Sequence, residues 1–182
     1  TWGVCACMME RGHVLNGRDA LIGEIGHMQI SGCPEKLCGC GKRHCLESAV
    51  RLDHLHQLLM AEKASWLEQE PLTFQSLFTH SRQGDPAARK IVEYLARCYA
   101  SALHNLSLCY NQEAVVFQGD MAWADPYFDQ CLKRELDEFR YYPEGEWLTT
   151  RYDRRELSTL AARGDAALLR KKYFAAMSYE DD

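Results

Sequence analysis

The chain has 182 residues, of which 47% are hydrophobic and 26% are charged, a composition typical of a globular protein with one ordinary hydrophobic core. This composition excludes the disordered and collagen-like classes. A membrane-spanning class is excluded because no apolar run approaches the ~18 residues that a spanning helix needs. The 21 basic and 26 acidic side chains give a net charge of -5. This balance argues against a nucleic-acid-binding surface, which would be basic.

The cysteines and the start of the chain indicate the cellular setting. There are nine cysteines, an odd number, and residues 1–9 lack the basic segment that opens a secretory leader. These features predict free thiols in a reducing cytoplasm. The first residue is Thr1 rather than Met, and an apolar run follows at once. We therefore expect a domain of a longer protein.

The first half of the chain predicts a hairpin, a loop and two helices. Apolar residues at 2–9, a turn at 10–13 and apolar residues at 14–15 predict a β-hairpin. Residues 22–46 are rich in Gly, Cys and His and lack periodicity, so side-chain burial alone cannot order this loop. Apolar residues at helical spacing predict helices over 46–63 and 74–78.

The second half carries the strongest helix signal. Asp85 suits an N-cap and Pro86 suits the first helical position, and an apolar stripe then continues to Tyr110. Residues 114–117 are uniformly apolar, which predicts a buried central strand. Further elements are predicted as a helix from Asp125–Pro126, a turn at 143–145, a strand at 147–150 and a helix over 157–177. The alternation of helices and strands predicts an α/β fold.

Four potential metal ligands lie in the loop that has no apolar periodicity: His27, Cys38, Cys40 and Cys45. Three thiolates and one imidazole form a complete tetrahedral ligand set for a structural zinc ion. The glycines that follow Cys38 and Cys40 allow a tight turn around the metal, which would supply the missing order. Two further residues of the loop, Cys33 and His44, remain alternative ligands. Unrelated buried thiols, or a disulfide between two of them, remain the alternative to a metal.

Two motifs in this region resemble the signature of the ROK family, which contains bacterial repressors and sugar kinases. Residues 23–28 read GEIGHM and residues 38–47 read CGCGKRHCLE, whereas the family pattern is G-E-x-G-H followed by C-x-C-G-x-x-G-C-x-E. The sequence departs from that pattern at His44, where the family has Gly. GDPAAR at 84–89 and VVFQG at 115–119 extend the resemblance over most of the chain.

The resemblance implies an actin-like ATPase (ribonuclease H-like) fold, in which residues 1–182 form the C-terminal lobe and the N-terminal lobe is absent. It also implies that Glu24, His27 and Glu47 contact sugar hydroxyls, with His27 shared between sugar and metal through its two ring nitrogens. Glu24 and Glu47 could instead support the metal ligands or cap helices. No catalytic residue is expected here, because the family's catalytic Asp belongs to the absent lobe.

Two departures from the family's kinases bear on ATP binding. A glycine-rich G-x-G-A-G segment, which brings backbone amides close to phosphates, corresponds here to Gly3-Val4-Cys5-Ala6-Cys7, so two glycines have gained side chains. The family's Gly-Gly-Gly segment reads Gln118-Gly119-Asp120, which adds negative charge where a nucleotide would lie. Each change argues independently against ATP binding. A plain hairpin strand is the alternative interpretation of residues 3–7.

The favoured interpretation is the sugar-sensing and oligomerising domain of a ROK-type transcriptional regulator, of the N-acetylglucosamine-repressor-like kind, with one structural zinc. Its effector would be a sugar or sugar phosphate, and DNA would be bound only through an absent upstream domain. The alternative is the C-terminal half of an ATP-dependent hexose or aminosugar kinase, and a third is a zinc-stabilised interaction module without a ligand. We expect a homo-oligomer that does not bind membranes. Four other histidines are expected to be ordinary surface or core residues: His54, His56, His80 and His104.

Overall fold

The computed structural model describes residues 3–19, 21–32, 36–139 and 148–177. The helices are α1 (Leu46–Val50), α2 (Leu52–Ala61), α3 (Phe74–Gln83), α4 (Pro86–Tyr110), α5 (Pro126–Glu138) and α6 (Leu157–Met177). The strands are β1 (Met9–Glu10), β2 (His13–Val14), β3 (Ala114–Phe117) and β4 (Thr149–Tyr152). Single turns of 3-10 helix lie at Ile25–His27, Ser65–Glu68 and Gly119–Trp123. Within these ranges, every helix is too short or too polar to cross a membrane.

Helix α4 is the central element, and its predicted signals are confirmed. The Asp85 carboxylate accepts a hydrogen bond from the Ala88 amide at 2.7 Å, and Pro86 occupies the first turn. The helix ends where Asn111 adopts a left-handed conformation with φ 47°. Its buried face, which includes Leu95 and Ala96, packs against α1, α2, α3 and α5. The hydrophobic core therefore forms around α4.

An aromatic cluster joins α3 and α5 to β3. Phe78 of α3 and Phe128 of α5 are fully buried, and their rings meet edge to face at 5.9 Å. Phe117 of β3 meets Phe128 in the same manner at 5.9 Å, and Tyr99 of α4 contacts both Phe117 and Phe128. Such edge-to-face pairs add stabilisation beyond the area they bury. The cluster therefore fixes the single turn at Gly119–Trp123, which lies between β3 and α5.

Strands β3 and β4 pair in parallel, with Ala114 opposite Thr149 and Phe117 opposite Tyr152. Helix α5 connects them, which gives a βαβ unit of the predicted α/β type. The prediction of a buried central strand is wrong, because Ala114 and Val116 are exposed and only Phe117 is buried. Among the described residues β3 pairs with β4 alone, so its apolar sequence reflects one buried side chain and not two covered faces.

Several predicted boundaries differ from the structure for local reasons. The predicted helix over 46–63 is broken into α1 and α2 because Arg51 is extended, with φ -66° and ψ 140°. Helix α3 is longer than predicted, since Thr73 forms a capping box with Ser76 and Gly84 ends the helix with φ 92°. The predicted hairpin is present but its strands are two residues long. Strand β4 begins two residues later than predicted, and the turn at 143–145 and Trp147 lie outside the described residues.

Helix α6 confirms the last predicted helix and passes through Gly164 without a break. Its described side chains are mostly exposed, including Leu169 at 56%. Its hydrophobic residues therefore add little to the core around α4.

A substitution at the N-cap of α4 tests how much this cap contributes to the free energy of unfolding. Asp85→Ala removes the acceptor for the Ala88 amide and is expected to lower the free energy of unfolding by about 1 kcal/mol. Asp85→Asn is the matched control, because its side-chain oxygen still accepts that bond. Urea denaturation measures both variants, and equal stability of the two would contradict the capping role.

Candidate metal centre and ligand site

The candidate site begins where the N-terminal segment crosses the loop that carries the cluster. The Ala6 amide donates to the Gly23 carbonyl at 2.8 Å, and the Gly26 amide donates to the Val4 carbonyl at 2.9 Å. A Cβ atom at Gly23 would lie 2.1 Å from the Ala6 oxygen, and one at Gly26 would lie 2.5 Å from the Val4 oxygen. Both distances are far below van der Waals contact. Glycine at both positions is therefore required for the two backbones to meet.

The loop then folds back on itself and brings the cysteines together. The Ile30 amide donates to the His44 carbonyl at 3.0 Å, and the Leu46 amide donates to the Met28 carbonyl at 2.9 Å. A tight turn follows Cys38, whose amide donates to the Lys42 carbonyl at 2.8 Å. These bonds bring both ends of the loop next to the first turn of α1.

The four predicted ligands lie together. The ligand atoms of His27, Cys38, Cys40 and Cys45 are all within 4.8 Å of one another. The His27 Nδ1 atom is 3.5 Å from the Cys38 sulfur, and the Cys40 and Cys45 sulfurs are 3.7 Å apart. A tetrahedral zinc site with Zn–S bonds of about 2.3 Å has ligand–ligand distances of about 3.8 Å. The donor set and its spacing fit a zinc ion, and the cluster could hold a divalent metal.

The protonation of the thiols supports this interpretation. Burial and, to a lesser extent, hydrogen bonds with Cys40 and Cys38 together raise the pKa of Cys45 to about 12. A hydrogen bond from the Lys42 backbone lowers the pKa of Cys40, which is exposed. Three adjacent thiolates repel one another unless a cation lies among them. Metal binding at neutral pH would therefore displace a proton from Cys45, so metal affinity would increase as the pH is raised from neutral.

The structure describes only one of the two alternative metal ligands, His44 and Cys33. His44 lies outside the four-residue cluster and adopts a left-handed conformation with φ 65°. Cys33 lies outside the described residues. His44 therefore keeps the backbone conformation that suits the family's glycine, although it is a residue for which that conformation is strained.

The three predicted sugar contacts, Glu24, His27 and Glu47, differ in their accessibility and in the atoms that they contact. With Nδ1 toward Cys38, the His27 ring directs Nε2 toward Glu24, whose nearest carboxylate oxygen is 3.9 Å away. Both side chains are accessible, with exposed fractions of 38% and 50%. Glu47, in the first turn of α1, instead accepts a hydrogen bond from the Val4 amide at 3.3 Å and lies 4.0 Å from the Cys38 sulfur. Glu24 and His27 are open to a ligand, whereas Glu47 also holds the N-terminal segment.

Sequence reasoning missed the contact between residues 3–7 and this loop. The sequence predicts a hairpin strand or an altered phosphate loop for this segment, but the hairpin strand comprises only Met9–Glu10. The signal that could have revealed the contact is the pair of glycines in GEIGH, where Gly23 and Gly26 are separated by only Glu24 and Ile25. Two glycines so close together indicate an approach by another backbone.

The strain at His44 gives a prediction about the loop. His44→Gly removes the cost of a left-handed side-chain-bearing residue, whereas His44→Ala removes the same imidazole and keeps that cost. The Gly variant is therefore expected to be about 1 kcal/mol more stable than the Ala variant. Thermal unfolding of the metal-loaded proteins measures the difference. A more stable Ala variant would show that the chain relaxes away from this conformation.

Comparison with known proteins identifies the family. The ROK family model matches residues 2–172. The transcriptional dual regulator NagC of Escherichia coli (strain K12) is 27% identical over 147 residues, which are 76% of this chain and 36% of the regulator. The N-acetylmannosamine kinase of Yersinia pestis (strain Pestoides F) is 30% identical over 119 residues, which are 65% of this chain and 39% of the kinase. The chain thus spans less than two fifths of either relative.

A solved structure supports the same assignment. The ROK hexokinase from Thermus thermophilus superposes with a TM-score of 0.63 and 26% identity, over 85% of this chain and 50% of the hexokinase. The relatives include a regulator as well as kinases, so the family alone does not select one activity. The match over residues 2–172 and the shared structure show that the chain belongs to the ROK family and has its actin-like ATPase fold.

Proposed function

We propose that the chain is the sugar-sensing C-terminal lobe of a ROK-type transcriptional regulator, stabilised by one structural zinc ion. The observation that carries the regulator assignment is the set of hydrogen bonds made by the backbone of residues 3–7. The amides of Val4 and Ala6 donate to Glu47 and Gly23, so they are not available to phosphate oxygens. The side chains of Cys5 and Cys7 are exposed and add bulk beside the remaining amides.

The second ATP-related segment supports the same choice. Asp120 is exposed and lies in the single helical turn between β3 and α5. A carboxylate at this position would repel the phosphates of a nucleotide. With both segments altered, a regulator that has kept the sugar site and lost phosphoryl transfer explains the chain better than a kinase.

The zinc would be held by His27, Cys38, Cys40 and Cys45. Its contribution would be structural: bound at four protein ligands, it would order a loop in which few side chains are buried. The thiols of Cys38 and Cys45 are buried next to α1, so coordination would also attach the loop to the helical core.

The effector would be a sugar or a sugar phosphate that contacts Glu24, His27 and Glu47. Carboxylates accept hydrogen bonds from sugar hydroxyls, and the His27 Nε2 atom can donate or accept one. Because Nδ1 lies at the cluster, metal binding would fix which nitrogen remains for the sugar. The names of the relatives, an N-acetylglucosamine repressor and an N-acetylmannosamine kinase, favour an N-acetylated amino sugar.

In this proposal residues 1–182 are the C-terminal lobe, and DNA is bound by a separate upstream domain. The net charge of -5 supports this division, since an acidic lobe would be repelled by a phosphate backbone. We also propose that the full protein is a homo-oligomer.

The second candidate function is an ATP-dependent sugar kinase, which the similarity to N-acetylmannosamine kinase favours. The sequence upstream of Thr1 distinguishes the two: a basic helix-turn-helix indicates the regulator, and a catalytic Asp indicates the kinase.

The metal proposal predicts about one zinc per chain in protein purified without chelators. Chelation should loosen residues 27–47 before α4, because α4 is held by its own buried face whereas the loop depends on coordination. Elemental analysis gives the stoichiometry, and amide hydrogen exchange gives the order of loss. Folded protein with no zinc and a protected loop would refute the proposal.

The sugar proposal predicts that two substitutions separate metal binding from sensing. His27→Ala should reduce zinc content and abolish sugar binding together, because one ring serves both. Glu24→Gln should keep the zinc and weaken sugar binding by about 1.5–3 kcal/mol, the range for a hydrogen bond to a charged group. Calorimetry with hexoses, amino sugars and their phosphates measures affinity, and elemental analysis measures zinc.

Matched controls for this pair are exposed residues outside the loop. His56→Ala on α2 and Glu10→Gln on β1 should leave zinc content and sugar affinity unchanged. Unchanged sugar affinity in Glu24→Gln, with zinc lost in His27→Ala, would move the sensing site away from Glu24.

The regulator proposal predicts no measurable ATP-dependent sugar phosphorylation by the full-length protein. Cys5→Gly or Cys7→Gly alone should not restore activity, since the Val4 and Ala6 amides stay bonded within the protein and Asp120 stays in place. A coupled assay with the same sugar panel tests this. Turnover on the order of 1–100 per second, which is ordinary for a kinase, would favour the second candidate.

A further inference from the structure

A second polar cleft lies where three helix ends meet, and it shares no residue with the metal loop. It has a volume of about 220 Å³ and is formed by the end of α3, the first turns of α4 and the start of α5. Its lining includes Ser81, Arg82, Arg89, Asp125, Tyr127 and Gln130. The size suits a small ligand and not a sugar polymer or a peptide.

One wall of the cleft is cationic and partly preordered. The Arg89 Nε–H donates to the Ser81 carbonyl at 3.2 Å, and its guanidinium carbon lies 4.9 Å from the centre of the Tyr127 ring. These contacts fix the guanidinium while leaving its outer N–H groups at the cleft. Arg82 is exposed and has no ion pair with any residue in the described ranges. Two guanidinium groups therefore line the cleft.

The N-terminus of α5 adds a backbone donor to the cleft and also carries the Asp125 carboxylate. Asp125 caps the Phe128 amide through Oδ1 at 2.8 Å, and Pro126 occupies the first turn. The next amide, that of Tyr127, has no acceptor within the helix because it belongs to the first turn. The Tyr127 amide can therefore donate to an oxygen of a ligand, while the Asp125 carboxylate offsets the positive potential of this helix end.

The floor of the cleft provides an independent sign of a ligand. Ser81 and Asp125 are almost completely buried, with exposed fractions of 0% and 2%. The Ser81 hydroxyl and Asp125 Oδ2 have no hydrogen-bond partner among the described residues. Buried polar atoms are rarely left unpaired in native proteins. A ligand with hydroxyl groups would give both atoms a partner after a small movement of the cleft wall.

Two acidic groups next to the cleft already have partners, whereas Asp125 keeps one unpaired oxygen. The Glu93 carboxylate accepts a hydrogen bond from the Tyr127 hydroxyl, and the Asp85 carboxylate caps the Ala88 amide. With these acceptors occupied, the groups that remain for a ligand are two guanidiniums, the amide of Tyr127, the Gln130 side chain and the two unpaired atoms on the floor. Two positive charges thus face the one negative charge of Asp125.

We propose that this cleft binds a phosphate group, either free or as the ester of a small polyhydroxy compound. The phosphate lies against Arg82, Arg89 and the start of α5, where planar guanidinium groups match its oxygens. In an ester, the hydroxyl groups face Ser81 and Asp125. The site goes beyond the sugar-sensing proposal and does not depend on zinc or on His27.

The test is a titration of the zinc-loaded protein with sodium phosphate and with glycerol 3-phosphate, followed by the amide NMR signals of residues 125–130. Both probes should shift these signals. Arg82→Met and Arg89→Met should each weaken binding at least about tenfold, as expected for a lost charged hydrogen bond. Arg97→Met is the matched control: Arg97 is an exposed arginine of α4 that faces Glu135, and its loss should change affinity less than about twofold.

The outcomes are distinct. Tighter binding of glycerol 3-phosphate identifies an ester as the ligand, and equal binding identifies free phosphate; either supports the site. No shift at residues 125–130 up to about 50 mM of either probe overturns the proposal, as does equal weakening in Arg97→Met. Because Arg82 makes no ion pair, Arg82→Met tests the site even if Arg89→Met fails to fold. Unchanged sugar affinity and zinc content in both variants separates this result from the sensing site.

Discussion

The candidate site depends on one close contact, the approach of two backbones at Gly23 and Gly26. The Cβ distances of 2.1 and 2.5 Å show that no other residue fits without moving residues 4–6. This contact fixes the segment between the two glycines, so Glu24 and the turn that ends in His27 have a defined position. The carboxylate of Glu47 completes the arrangement by bonding the Val4 amide from α1. The loop, the N-terminal segment and the helical core thus meet at one place.

Much of the helical core could be predicted from the sequence, because its signals are local. Asp85 and Pro86 mark the start of α4, and Asp125 and Pro126 mark the start of α5 in the same way. The cluster of His27, Cys38, Cys40 and Cys45 could also be predicted, since its side-chain chemistry is uncommon and its spacing is short. These features need no knowledge of contacts between distant parts of the chain.

The features that sequence reasoning missed depend on distant contacts. The exposure of β3 depends on which strands lie beside it, and an apolar sequence alone does not distinguish an edge strand from a central one. The break at Arg51 depends on how α1 and α2 pack, because the apolar spacing continues through it. Likewise, the double use of Glu47 becomes visible only when residue 4 is placed beside it, 43 positions away in the chain.

Two kinds of interaction hold the helices and the loop in place, and the difference between them bears on function. Helices α3, α4 and α5 are held by buried aromatic and aliphatic side chains, whereas the loop from Gly23 to Cys45 is held by backbone bonds and by its cluster of thiols and imidazole. Segments with few buried apolar contacts open at a lower free energy than the core does. A ligand that contacts Glu24 and His27 would therefore act on a segment that opens at a lower free energy than the helical core. A metal bound at Nδ1 of the same ring would transmit that change to α1, because Cys45 and Leu46 connect the cluster directly to this helix.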